Sequence, residues 1–177
     1  MVRKVAISFS VLLFAFLGFV ATKPSRYAVS REIAIDAAAE RIFPLLNGSK
    51  AAHGWSPWSE VDPDAKWSFS GPDAGVDSRS DWTDGKKLGR GSATVVESVP
   101  PQKVVIRLEY VEPMPMVQTA EYLLRSEGGK SVVTWRVHGE NSFVGKLFGV
   151  FFDMDAQVGG LFEKGLARLK SQAEASK

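Results

Sequence analysis

The sequence predicts an α+β fold in which a curved antiparallel sheet wraps around a long C-terminal helix, with a hydrophobic helix ahead of both. Three observations carry this. An uncharged apolar run follows Arg3 and Lys4, six short period-2 segments separated by turn residues lie between Ala65 and Gly139, and beyond Gly139 the apolar residues change to steps of four and three.

The first run extends from Val5 to Thr22 and includes Phe9, Leu12, Leu13, Phe14, Phe16, Leu17, Phe19 and Val20. As a helix it would rise about 27 Å, close to the ~30 Å of a bilayer core. Ser8 and Ser10 are its polar side chains before Thr22, so it lacks the polar face of a buried amphipathic helix. Cleavage after Ala21 would put Phe19 at the −3 position, and cleavage after Thr22 would put Val20 there, where signal peptidase wants a small residue. An uncleaved single-pass membrane anchor over residues 5–22 is favoured over a cleaved signal that would leave a secreted domain. Arg3, Lys4 and the amino terminus orient the start of the chain inward and the domain extracytoplasmically, against competition from Lys23, Arg26 and Arg31. Residues 1–23 are assigned to this anchor or signal segment, 24–26 to a linker and 27–177 to one folded domain.

From Tyr27 to Ile35, Val29, Ile33 and Ile35 share one period-2 phase, which predicts a half-buried strand. Asp36 is placed to cap a helix from Ala37 to Leu46, whose Ala38, Ile42, Leu45 and Leu46 have helical spacing. Asn47-Gly48-Ser49 ends it, and Trp55-Ser56-Pro57-Trp58 reads as a packed aromatic corner. The six later strands are marked by Trp67 and Phe69; Ser78, Ser80 and Trp82; Ala93 and Val95; Val104 to Tyr110; Gln118 to Leu124; and Val132 to Val137. Their connections are of hairpin length, which makes them antiparallel, since parallel pairing needs crossovers of a dozen residues or more. From Phe143 the series Leu147, Phe151, Met154, Val158, Leu161, Gly165 and Leu169 predicts one helix over about 144–173. Gly159-Gly160 inside it marks a bend or a close approach.

Composition excludes several functions. The 177 residues carry 22 Lys+Arg and 20 Asp+Glu, and removing the three basic residues of the first 23 leaves a near-neutral domain. Without a basic face it is not a nucleic-acid binder. The absence of cysteine removes disulfides, thiol nucleophiles and Cys-ligated metals. Two histidines, His53 and His138, support neither a metal cluster nor a triad and are placed at the surface. Asp153 and Asp155, two apart on a helix, do not share a face and form no acid pair. No metal or other cofactor is expected.

Strand phase then selects candidates. Val104, Ile106, Leu108 and Tyr110 point inward, as do Gln118, Ala120, Tyr122 and Leu124, and Val133, Trp135 and Val137. Arg107, Glu109, Glu121 and Arg136 form an outward charge ladder. Gln118 and Glu97 are polar residues in the inward phase, Glu97 provided no bulge intervenes, and they are candidates for a ligand's polar end. With Trp55, Trp58, Trp82, Tyr110, Tyr122, Trp135, Phe151 and Met154 they make up the predicted cavity lining.

Motifs add a family resemblance over about 27–175. Trp55-Ser56-Pro57-Trp58, Gly71-Pro72 with Gly75-Val76, and Gly89 and Gly91 leading to Glu97-Ser98 and Pro100-Pro101 resemble the SRPBCC superfamily. So do Gly139-Glu140-Asn141, Gly145-Lys146, Asp153-Met154-Asp155 and Phe162-Glu163-Lys164-Gly165-Leu166-Ala167. The chain is most similar to the polyketide cyclase/dehydrase and lipid transport type, related to START and Bet v 1 domains. The resemblance implies the helix-grip fold and an apolar cavity between sheet and last helix, in a group ranging from lipid carriers to cyclases and chaperone activators. Three functions are expected on this basis: a membrane-tethered domain holding a small hydrophobic or amphipathic ligand; a cyclase- or dehydratase-like enzyme using Glu97 as an inward carboxylate; and an interaction module with a filled cavity.

Overall fold

The computed structural model describes residues 2–151 and 153–175, with the side chains of residues 2–9 and of Met154 outside the described residues. The elements in order are α1 (Val2–Ala21), β1 (Arg26–Ile35), α2 (Ala39–Leu46), α3 (Ser49–His53), α4 (Trp58–Val61), β2 (Lys66–Ser70) and β3 (Arg79–Thr83), then β4 (Arg90–Val99), β5 (Lys103–Glu112), β6 (Met116–Glu127), β7 (Lys130–Glu140), α5 (Phe143–Phe151) and α6 (Met154–Ala175). All six later strands form where their alternation predicts them. The seven strands make one antiparallel sheet in the order β1-β7-β6-β5-β4-β3-β2. Strands β2 to β7 are a meander, and β1 joins at its far end beside β7, with Val29 opposite Val137 and Ile33 opposite Val133.

The core lies between the inner face of this sheet and two helices. Val29, Ile35, Val104, Ile106, Ala120, Tyr122, Val133 and Trp135 bury against Ile42, Phe43 and Leu46 of α2 and against Phe162, Leu166, Leu169 and Ala173 of α6. Helix α2 begins later than expected and without the Asp36 cap. Ala38 holds the N-cap position with no side-chain bond, and the Asp36 amide donates to Glu174 Oε1 at 2.8 Å instead.

The expected single helix over 144–173 is two helices. Asp153 restarts the chain: its Oδ1 accepts the Ala156 amide at 3.0 Å, as an N-cap aspartate does three residues ahead of the donor. The core stripe of α6 is also turned relative to the expected one, since Phe162 and Leu166 sit at its centre while Leu161 is half-buried. Gly159 is used for close approach, because a Cβ there would lie 2.1 Å from the Arg31 guanidinium. That guanidinium binds both Asp155 carboxylate oxygens, at 3.0 and 2.9 Å, and Glu163 at 2.9 Å, joining β1 to α6.

The anchor expected over 5–22 is not supported: among the described residues no helix is long and apolar enough to cross a membrane. The end of α1 is engaged with protein. Val20 is fully buried, Phe16 lies 6.1 Å from the Phe151 ring of α5, and Lys146 Nζ donates to the Ala21 carbonyl at 3.3 Å.

Candidate ligand cavity

A row of rings crosses the inner face of β2, β3 and β5. Trp67 and Trp82 are register partners with centroids 5.6 Å apart, and Trp82 meets Tyr110 edge-on at 5.5 Å. Between them β4 contributes Gly91, opposite both Trp82 and Tyr110. Only a residue without a side chain fits there, because a Cβ would lie 2.4 Å from Trp82 Cζ2. A second aromatic group forms beneath α6. Trp135 stacks on Phe162 at 4.1 Å and 10°, while Trp55 meets Trp135 and Tyr122 edge-on at 5.4 and 5.6 Å. Gly165 allows this approach, since a Cβ at that position would be 2.8 Å from Trp135 Cζ3 and 3.0 Å from Pro57 Cδ.

The two aromatic groups bound a cavity of about 330 Å³ whose wall is mostly apolar, the size and character of a small-molecule site. Of the residues predicted to line it, Trp58, Trp82, Tyr110, Gln118, Tyr122 and Trp135 do so. Trp55 does not. It is fully buried, with its indole N–H donating to the Leu45 carbonyl at 2.8 Å, so it is core behind the wall. Phe151 is 67% exposed on α5 and packs toward α1. The helix break moved it off the stripe. The Met154 side chain lies outside the described residues.

Glu97 is turned away from the cavity by a register shift between Val95 and Glu97. Val95 pairs with Ile106, yet Glu97 pairs with Val105, the outward neighbour. The extra residue, Val96, reverses the phase of the strand beyond it. Glu97 is exposed and ion-paired with Lys103 at 2.9 Å. Among the described residues, the cavity wall contains no aspartate or glutamate; its ionisable cationic groups are His53 and Lys87.

His53, expected at the surface, lies in the wall, 4.8 Å from Trp67 and 5.4 Å from Phe69 between ring centroids. Desolvation pushes its pKa below the ordinary histidine value. Helix α3, too short to show a period, hid it. Tyr27 also lines the cavity; its phase with Val29, two residues on, was the available signal. His138 does lie on the outward face, 3.8 Å from Glu121 Oε2, beside the Arg107–Glu109 pair at 2.9 Å and the Arg136–Glu121 pair at 3.8 Å. The charge ladder is therefore where alternation places it.

The polar groups of the wall and immediately behind it fall into two sets. Gln118 Nε2 donates to the Tyr27 hydroxyl and to Met116 Sδ, the latter at 3.4 Å. Burial raises the Tyr27 pKa, with the Gln118 bond acting in the opposite direction. Burial also pushes Tyr110 up to about 12 and raises Tyr122, so both are neutral phenols across the physiological range. The second set lies by α3 and the β3–β4 connection. There the buried Asp62 accepts the amides of Lys87 and Leu88 at 2.6 and 2.9 Å, and the Leu88 carbonyl accepts the Trp82 indole N–H at 3.3 Å. These backbone bonds, largest first from Leu88 and Lys87, hold the Asp62 carboxyl below the usual carboxylate range. The indole N–H groups of Trp67 and Trp135 are buried and without a partner among the described residues, at about 1–3 kcal/mol for each such group.

A curved sheet gripping a C-terminal helix around an apolar cavity defines a helix-grip domain of the START and Bet v 1 kind. The chain belongs to the family described as polyketide cyclase / dehydrase and lipid transport, whose pattern matches residues 26–174. Solved structures agree on the fold. The Mll3558 protein from Rhizobium loti is 22% identical over 81% of this chain and 96% of its own, with a TM-score of 0.55. The Aha1 dimer from Colwellia psychrerythraea is 18% identical over 85% and 98%, with a TM-score of 0.59. The major latex-like protein 151 from Panax ginseng is 11% identical over 85% and 99%, with a TM-score of 0.56. No curated protein matches the chain.

Proposed function

We propose that this domain binds a small hydrophobic or amphipathic molecule in the cavity between the sheet and α6. The observation that supports this most is the cavity itself: about 330 Å³ walled by Trp58, Trp67, Trp82, Tyr110, Tyr122 and Trp135 and not filled by these side chains. The reading as an interaction module with a filled cavity has no such space. Catalysis through an inward carboxylate lacks its general base, because Glu97 faces outward and the wall holds no other acid among the described residues. Contact with a lipid surface is the second part of the reading. It is supported by the exposed apolar side chains of Leu12 and Phe14 on α1 and of Phe143, Val144 and Phe151 on α5.

Titration of the full chain with the uncharged probe N-phenyl-1-naphthylamine tests the binding. Saturable uptake is expected, with enhanced probe emission and quenched tryptophan emission. Ala93→Phe, which puts a ring into the wall, should lower affinity about tenfold or more. No uptake by folded wild-type protein would refute the reading.

A further inference from the structure

We propose that the ligand carries a carboxylate, and that this group lies between His53 and Lys87, at the end of the cavity bounded by α3 and the β3–β4 connection. This rests on the binding reading above and adds the chemical class of the ligand and its orientation in the cavity.

The two polar ends of the cavity differ in what they still lack. At the Gln118 end the amide nitrogen is already engaged, since Gln118 Nε2 donates to Tyr27 and to Met116 Sδ. The Trp135 indole N–H, against Phe162 of α6, is buried without a partner among the described residues, but no charged group of the wall lies with it. At the other end the donors are unmatched. His53 contributes an imidazole to the wall and contacts the rings of Trp67 and Phe69, and among the described residues it makes no side-chain hydrogen bond or ion pair. The Trp67 indole N–H beside it is buried and has no partner among the described residues.

Lys87 supplies the charge. Two other lysines of this region are each neutralised, Lys66 by Asp84 at 2.9 Å and Lys86 by Asp64 at 2.7 Å. Lys87 lines the cavity from an exposed position and makes no direct ion pair among the described residues, although its charge acts through space on the buried Asp62 carboxyl. Its backbone is fixed by Asp62, which also fixes Leu88, and Leu88 is tied through its carbonyl to Trp82. Trp82 in turn packs on Trp67, and Trp67 on His53. The cation and the unmatched donors therefore belong to one connected wall.

Three donors, one of them cationic, facing a wall without any acid are complementary to one negative charge with two acceptor oxygens. A ligand ammonium would meet the Lys87 ammonium, and the carboxylate near it, Asp62, is already engaged by the Lys87 and Leu88 amides. A phosphate monoester, with nearly two negative charges, would face one lysine and no arginine, which favours the singly charged carboxylate. The apolar part of the ligand then lies along Trp82, Ile106, Leu108 and Val137 toward α6.

Three probes of one chain length separate the possibilities: dodecanoate, methyl dodecanoate and dodecylamine, titrated below micelle-forming concentrations into the full chain and followed by tryptophan fluorescence. Dodecanoate should bind about tenfold more tightly than the ester, as charge-assisted hydrogen bonds would give, and dodecylamine more weakly than either. Lys87→Met, at an exposed position, should reduce the acid-to-ester ratio toward one. His53→Phe, which keeps a ring against Trp67, should lower the same ratio. Equal binding of acid and ester, or a ratio untouched by Lys87→Met, overturns the carboxylate inference and leaves the apolar cavity standing. Failure of all three probes to bind wild-type protein overturns both.

Discussion

Gly91 and Gly165 act through the side chain they lack. At Gly91 the missing Cβ lets Trp82 lie across β4 and reach Tyr110, and at Gly165 it lets Trp135 and Pro57 close against α6. Gly160 is different, because nothing lies within 4 Å of where its Cβ would be. The same substitution should therefore have opposite effects at the two helical positions. Alanine gains about 1 kcal/mol over glycine in a helix interior, which is expected in full for Gly160→Ala. Gly165→Ala forces Trp135 or Pro57 to move, and overpacking of about 1–3 kcal/mol outweighs that gain. Urea unfolding should show a raised midpoint for Gly160→Ala and a lowered one for Gly165→Ala. A lowered midpoint for Gly160→Ala would show that its open side is used in packing. The double glycine signalled a special position in the sequence but not that Gly159 is the one that meets Arg31 of β1. That depends on the rotation of α6, which Asp153 sets by restarting the helix.

At the scale of elements, α5 and α6 divide the work that one apolar stripe suggested. Phe162 is fully buried and stacked on Trp135, while Phe151 is 67% exposed. The pattern of fours and threes put Phe151 in the stripe and left Phe162 out of it. Phe162→Ala should destabilise the domain by about 3–5 kcal/mol through lost burial and a cavity. Phe151→Ala should stay within about 0.5 kcal/mol, as exposed substitutions do. Comparable losses in the two variants would mean that α5 is held in the core. Strands were easier to read than helices because alternation assigns faces without knowledge of the partner. Tyr110, Tyr122 and Trp135 are inward where the period puts them. Glu97 escaped the rule because one extra residue, Val96, inverts the phase, and no composition signal accompanies a bulge.

At the scale of the whole molecule, α1 and α5 gather exposed apolar side chains next to each other, with Phe16 against Phe151. A domain with such a surface should float with phosphatidylcholine vesicles, and Leu12→Glu with Phe14→Glu should reduce the bound fraction several-fold, since each charge opposes burial in the interface. Equal flotation of the variant would show that lipid contact does not run through α1. Periodicity, turn residues and family motifs by themselves determined the strand number, the antiparallel order, the C-terminal helix and the aromatic character of the interior, because each is a local property repeated along the chain. Only the tertiary structure decided which of those aromatics face open space. Trp55 and Trp58 are three residues apart in one motif, yet Trp55 bonds to Leu45 as core and Trp58 lines the cavity. His53 and Lys87, far apart in sequence, reach one wall through the contacts of Trp67 and Trp82. The physical reason is that a cavity is a property of surfaces meeting, and local spacing fixes which way a side chain points but not what it meets there.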